Sequence, residues 1–294
     1  MMSKLHLPNV TLFTTVGPNQ ILTSRSYSKC LDLATFGDAI FFTEHKDTCT
    51  IQHPGHTMVS MIRMQPVGSA QNSGIHAFRT LPQHLKTSHI LWIDWDSGIV
   101  NPESWCDDFL QYDYIGARWP WLPKGKNIGN SGFSLISRKM LEVIGAMDLD
   151  PKGVLDADIG QRWRPRLEQE HGIKFPDENI ADRFSYERHM PNVPSFGFHG
   201  FFNMWRHTDD REMAEIIDYL NSSSVQRMEY AELMMIYLSQ RKFPIFFAMY
   251  HRLRKVNSQT EIMARLQALF SAPIDGLITD MLNMAEEPFK KEAA

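Results

Sequence analysis

The sequence predicts an α/β fold, a mostly parallel sheet flanked by helices, followed by a helical C-terminal region. Three observations carry this expectation. Up to residue 93, β-rich apolar runs alternate with helix-periodic stretches, the pattern of a parallel sheet. From Asn101 to Phe198 the chain is rich in Trp, Pro, Gly and Asn, as loops built above such a sheet are. After about Asp209 glycine and tryptophan almost vanish and helical spacing takes over. A boundary is expected near 208, with 1–208 as the α/β domain and 209–294 as the helical region.

Val10 to Val16 reads as a strand ended by the Gly17-Pro18 breaker. Ile21 to Phe36 has helical spacing, and Gly37-Asp38 breaks it before a second strand, Ala39 to Thr43. Ser73 to Lys86 places Ile75, Phe78, Leu81 and Leu85 at helical intervals, although Pro82 disfavours a regular helix in its second half. His89 to Ile93 is a third apolar strand. A further helix is expected near Ser137 to Ala146, and four more at Glu212–Leu220, Met228–Gln240, Ile245–Lys255 and Ile262–Phe270.

Composition narrows the function classes. The chain has 294 residues, 43% of them hydrophobic, and a net charge of −4. A chain this long buries roughly 70–75% of its unfolded surface and needs no covalent staple. Its acidity gives no global reason to expect nucleic acid. Cys30, Cys49 and Cys106 are far apart and form no paired motif, so neither a disulfide framework nor a zinc cluster is expected. No signal-peptide core and no long apolar span occur, which makes a cytoplasmic location the expectation. There is no G-x-S-x-G, P-loop or dinucleotide fingerprint.

The sharpest chemical feature is Ile90-Leu91-Trp92-Ile93-Asp94-Trp95-Asp96-Ser97. An apolar strand ends in two carboxylates at i and i+2, which face the same side of an extended chain. They could converge on one cation at the carboxyl end of a strand, where open α/β sheets bind ligands. The alternative is a plain turn, since Asp often ends strands. Trp119 and Trp121 offer either stacking faces for sugars and bases or core packing. Glu44 and His45 end the second strand, where a nucleotide could lie.

Downstream, Phe109 to Pro120 reads FLQYDYIGARWP, Gly129 to Met140 reads GNSGFSLISRKM, Ala181 to Glu187 reads ADRFSYE, and Phe196 to Gly200 reads FGFHG. This ordered series resembles a family of GT-A-type glycosyltransferases long described as a domain of unknown function. Members carry an acidic strand end, then "YDYIGAPW", "GNGGFSLRS", an acidic "EDV" segment and "FGFHG". The similarity spans roughly residues 85 to 200 and is weaker upstream.

The resemblance implies a GT-A-like, Rossmann-type fold. It also implies a nucleotide-sugar donor such as a UDP-sugar, a hydroxyl acceptor on a glycan, and a divalent metal, Mn or Mg. Asp94 and Asp96 become the D-x-D pair, with Asp96 as the direct ligand and Asp94 as ligand or ribose contact. His199 falls where such enzymes place a late metal ligand. Asn130, Ser131 and Gly132 form a small-residue segment whose backbone N–H groups approach sugar or phosphate. Ser131 stands where the family prefers Gly. The family's Glu-Asp pair appears as Ala157-Asp158, with Asp156 just before it. Asp158 is the expected base of an inverting transfer and Asp156 its reserve. The missing Glu leaves inversion or retention open.

Other readings survive at this level. Arg241 to Lys255 is both basic and apolar, and it suits a packed helix, a membrane surface or nucleic-acid phosphates. A DNA-modifying glycosyltransferase acting on hydroxymethylated bases is therefore an alternative. So is a catalytically inactive GT-A-like binding domain, although the joint presence of Asp94, Asp96, Asp158 and His199 argues against it.

Overall fold

The computed structural model describes residues 4–15, 17–43, 59–63, 70–149, 154–270 and 276–292. Val16, Glu44, His45 and Cys49, all named above, lie outside the described residues. The chain divides into two compact units, Met1–Gly200 and Phe201–Ala294.

The first unit contains strands β1 (Leu5–Thr15), β2 (Ala34–Thr43), β3 (Ser60–Arg63), β4 (His89–Ile93), β5 (Ser97–Ile99), β6 (Tyr114–Ile115), β7 (Phe133–Ser137), β8 (Ser185–Tyr186) and β9 (Gly197–His199). Its helices are α1 (Gln20–Leu33), α2 (Ala70–Thr80), α3 (Arg138–Ala146), the single turn α4 (Leu155–Ala157), α5 (Arg164–His171) and α6 (Glu178–Phe184). The main sheet has the order β3-β2-β1-β4-β7-β6. β1, β2, β3 and β4 run parallel, and β7 is antiparallel to both β4 and β6. The chain winds outward from β1 to β3, then returns to place β4 on the other side of β1. That reversal is a topological switch point, where α/β sheets bind ligands.

The sheet is covered on both faces because its strands are apolar on both. Along β4, Ile90 and Trp92 join the core beneath α2 and α3, with Phe13, Phe78 and Met140. Leu91 and Ile93 join the opposite core, with Tyr27 and Leu31 of α1. Alternation with period two thus serves two cores at once. Phe13 meets Trp92 edge-on at 4.8 Å, a geometry worth about 0.5–1.5 kcal/mol beyond the buried area. Pro82 acts as expected: α2 stops at Thr80 and a 3-10 turn, Leu81–His84, follows. A second, three-stranded sheet has the order β5-β9-β8. Cys30 is buried, which pushes its thiol pKa up to about 12, and it is a free thiol like Cys106.

The second unit is helical: α7 (Asp210–Tyr219), α8 (Ser222–Val225), α9 (Met228–Ser239), α10 (Phe243–Arg254), α11 (Gln259–Gln267) and α12 (Gly276–Glu292). The basic, apolar stretch forms α10, which buries Ile245, Phe246, Met249, Tyr250 and Leu253. Its cations are engaged within the unit. Lys242 Nζ meets Asp210 at 2.7 Å, Arg252 donates to the Leu220 carbonyl, and Arg254 pairs at 3.0 Å with the buried Glu286. Glu286 also accepts from the Tyr250 hydroxyl at 2.6 Å, so its buried charge is compensated. This is the packed-helix reading of Arg241 to Lys255. Among the described residues no helix is long and apolar enough to cross a membrane.

Candidate metal centre

The acidic pair lies where β4 ends and the small sheet begins. Asp94 N–H donates to the Gly132 carbonyl at 2.9 Å and to Ser97 Oγ at 3.0 Å. Ser97 Oγ and N–H both return to the Asp94 carbonyl. The chain therefore turns tightly between the two acids instead of staying extended. The Trp95 carbonyl in that turn accepts from Ser26 of α1 at 2.6 Å. The turn reading of this segment does not exclude the metal reading, because the turn brings the two carboxylates to the same side.

His199 completes the cluster. It ends β9, paired antiparallel to β5 with His199 opposite Ser97. The next residue, Gly200, has φ +99° and donates its N–H to the Asp96 carbonyl at 3.0 Å. A left-handed residue is needed there, and glycine adopts it without strain. One ligand atom each from Asp94, Asp96 and His199 lies within 4.8 Å of the others. His199 Nε2 is 3.5 Å from Asp96 Oδ1.

Two further carboxylates surround this trio. Glu187, just after β8, lies 3.4 Å from His199 Nδ1. Asp156 of α4 accepts from the backbone N–H groups of Ala157 and Ser131 and feels the charges of His199 and Glu187. Burial is the largest influence on Asp94, Asp156, Glu187 and His199. It lifts the Asp94 carboxyl to about 6, with Asp96 adding to the rise and His199 opposing it. It lifts Asp156 as well. For His199 burial opposes protonation, but Asp96 and Glu187 outweigh it and hold the imidazole pKa well above its usual value. Glu187 is held low because the attraction of His199 exceeds its burial penalty. Four carboxylates gathered around one imidazole mark a place that favours positive charge.

The residues present fit a divalent ion. Two carboxylates and an imidazole suit Mn and Mg better than soft, thiolate-seeking metals. Nδ1 of His199 faces Glu187, which leaves Nε2 facing Asp96, the usual division of labour in a ligating histidine. Asn130 supports this arrangement from a left-handed conformation, φ 53°. Its amide nitrogen lies 2.9 Å from His199 Nδ1, and its Oδ1 accepts from Gly132 N–H. A Cβ on Gly132 would overlap the His199 ring. Gly132→Ala should therefore displace the imidazole and weaken Mn affinity by about tenfold or more, read by calorimetric titration. Unchanged affinity would show that His199 is not a ligand.

The other expected residues separate. Trp119 is 7% exposed and packs against the bare Cα of Gly129, whereas Trp121 is 61% exposed. Only Trp121 presents a face to solvent; Trp119 is held as core. Asp158 is buried in the π-helical turn Asp158–Arg162, where its Oδ1 accepts from Arg162 Nε at 2.8 Å. Between the two candidate bases, Asp156 is the one whose charge acts on Asp94. Glu187 has no local signal as a site residue, since only the parallel pairing of β8 with β9 brings it to His199.

Residues 78–199 match a family described as "Protein of unknown function (DUF5672)", a span overlapping the stretch that carries the ordered motifs. No curated protein matches the chain. Among solved structures it is similar to a glycosyltransferase involved in glycosylation of the major capsid of PBCV-1. That pair shares 12% identity over 65% of this chain and 91% of the other, with a TM-score of 0.41. It is similar to the galactosyltransferase LgtC in complex with donor and acceptor sugar analogs, at 10% identity over 64% and 86%, TM-score 0.39. It is also similar to the glycosyltransferase GlyE of Streptococcus pneumoniae TIGR4, at 14% identity over 60% and 42%, TM-score 0.32.

Proposed function

We propose that this chain is a metal-dependent glycosyltransferase, cytoplasmic and acting in glycan synthesis, that moves a sugar from a UDP-sugar or similar donor onto an acceptor hydroxyl with inversion. The observation that carries the reading is the convergence of Asp94, Asp96 and His199 within 4.8 Å beside the switch point of the sheet. Asp94, Asp96 and His199 would hold the ion. When bound, a Mn or Mg ion neutralises the phosphates of the leaving nucleoside diphosphate.

The chain's own groups supply the rest. Glu187 and Asn130 orient the His199 ring. Ser131 and Gly132 bring backbone close to the reacting centre, because neither carries bulk. The acceptor oxygen attacks the anomeric carbon as the bond from that carbon to the diphosphate oxygen breaks. The hydroxyl proton passes to a carboxylate oxygen, which we assign to Asp156 in preference to Asp158. Asp156 shares the cluster's field, and Asp158 is bound to Arg162.

A thermal-shift screen of nucleotide sugars tests this. A donor at a hundredfold excess over Kd stabilises the native state by about 2.7 kcal/mol. The shift should appear with Mn or Mg and vanish with EDTA. If no nucleotide sugar stabilises the protein in the presence of either ion, the reading fails.

A further inference from the structure

Arg118 of the GARWP run and Asp182 of the ADRFSYE run form an ion pair outside the metal centre. Nε and Nη2 of Arg118 donate to the two oxygens of Asp182, both at 2.9 Å. The side chains are only 17% and 16% exposed. A shielded ion pair adds little stability over well-packed apolar groups of the same volume. What the planar guanidinium fork adds is a fixed direction and register.

The contacts on either side of the pair lead to the metal centre. On the Arg118 side, the chain from Gly116 to Asn130 doubles back on itself. Arg118 bridges antiparallel to Ile128, and Trp119 N–H donates to the Asn127 carbonyl at 2.8 Å. A Cβ on Gly116 would strike the carbonyls of Gly129 and Asn130. The arm carrying Arg118 therefore lies directly against the arm that ends in Asn130. Glu178, one turn before Asp182 on α6, ties down the same returning arm by accepting from Asn127 Nδ2 at 2.7 Å. On the Asp182 side, the backbone of α6 receives the segment that leads to His199. The Asp182 carbonyl accepts from Ser195 Oγ at 2.5 Å, and the Arg183 carbonyl from Phe196 N–H at 2.9 Å. The two routes meet again where the Asn130 amide nitrogen lies 2.9 Å from His199 Nδ1. Asn130 is a non-glycine residue with φ 53°, and such a conformation persists only where its surroundings over-determine it.

We infer that Arg118 and Asp182 are positioning residues for the metal centre. Their ion pair sets the register between the arm carrying Asn130 and the strand carrying His199, and so fixes the plane of the imidazole. The inference rests on the proposed function for its effect on metal, and on the closed circuit of contacts alone for its effect on the ring.

The test reads the full chain in two ways. Calorimetric titration with Mn alone gives metal affinity. Carbon–proton NMR spectra without metal give the ring signals of His199, assigned against His199→Gln. Asp182→Asn preserves shape and removes the charge that aligns the fork. It should weaken Mn affinity by about tenfold or more and move the His199 ring signals, while thermal unfolding stays cooperative. Arg118→Lys keeps the charge without the fork and should act in the same direction; it carries the test if Asp182→Asn does not fold. The double variant should lose no more than the worse single one, because both changes act through one contact. Asp113→Asn is the control for general loosening. Asp113 accepts from Ser137 Oγ and Lys174 N–H, at the end of β7 away from Gly132, and its variant should leave both readouts at their wild-type values. Wild-type ring signals and Mn affinity in the folded pair variants would overturn the inference. So would equal changes in Asp113→Asn, or losses that add in the double variant as independent ones do. Ring signals that move in Asp182→Asn, in a protein whose wild type takes up no Mn, would keep the positioning pair and sink the metal-dependent reading.

Discussion

Asp96→Ala should abolish metal-dependent binding of nucleotide sugars and leave the fold in place. The side chain is 11% exposed, yet it belongs to neither apolar core, and the link that joins its turn to β9 uses its backbone carbonyl. Removing the carboxylate takes away one of the trio's ligands and one of the two charges that hold His199. It also relieves repulsion with Asp94, which offsets part of that loss, so the metal-free variant should still unfold in a cooperative thermal transition. Mn affinity should fall by at least about a hundredfold, because the loss is of a ligand, and losing even a group that only orients a ligand costs about 10–100-fold. Turnover at fixed Mn should follow it down. Calorimetry with Mn, paired with donor thermal shifts, reads both quantities. Equal metal-dependent donor affinity in the variant and the wild type would remove Asp96 from the site and with it the basis of the proposed function.

The parts of this site visible in the sequence are those encoded locally. The strand His89–Ile93 is legible because every residue in it is buried and an unbroken apolar run has few other uses. The acids that follow are legible because they end that run. The mechanism of their convergence was not legible: pleat geometry suggested an extended pair, but a hydrogen-bonded turn through Ser97 does the work. Glu187 is invisible locally because it depends on β8 pairing with β9, a contact between short segments whose few residues carry no periodic pattern. Trp119 and Trp121 look alike in the chain, but only Trp119 fills the space left by the missing side chain of Gly129, while Trp121 stays exposed. Helices of the second unit are legible from their spacing, and Met228–Ser239 and Phe243–Arg254 fall within about two residues of the expected spans. Ends shift because caps compete with fraying over such distances.

The choice between Asp156 and Asp158 rests on which side of one helical run faces the reacting atoms. Sequence resemblance favours Asp158, which aligns with the second acid of the family's pair. The electrostatic field of the cluster favours Asp156. Its carboxylate accepts from Ser131 N–H, in the segment that leads to Gly132 beside His199, and it interacts with both His199 and Glu187. Asp158 spends an oxygen on Arg162, an i,i+4 pair that stabilises the π-helical turn. A base contributes about 10²–10⁴-fold to rate and little to donor affinity. Asp156→Asn keeps an acceptor oxygen for the Ala157 or Ser131 N–H but removes the basicity. It should therefore lose turnover by that factor while the Mn-dependent donor shift is retained. Asp158→Asn keeps a neutral acceptor for Arg162 and should reduce turnover by no more than about threefold, the rate equivalent of a weak ion pair. The measurement is kcat for both variants beside their donor affinities. If the Asp158 change is the severe one, the helical run presents its other face to the substrate and the family alignment was the better guide. If neither change reaches tenfold, no acid of α4 or the turn after it takes the proton, and the inverting mechanism drawn here is wrong.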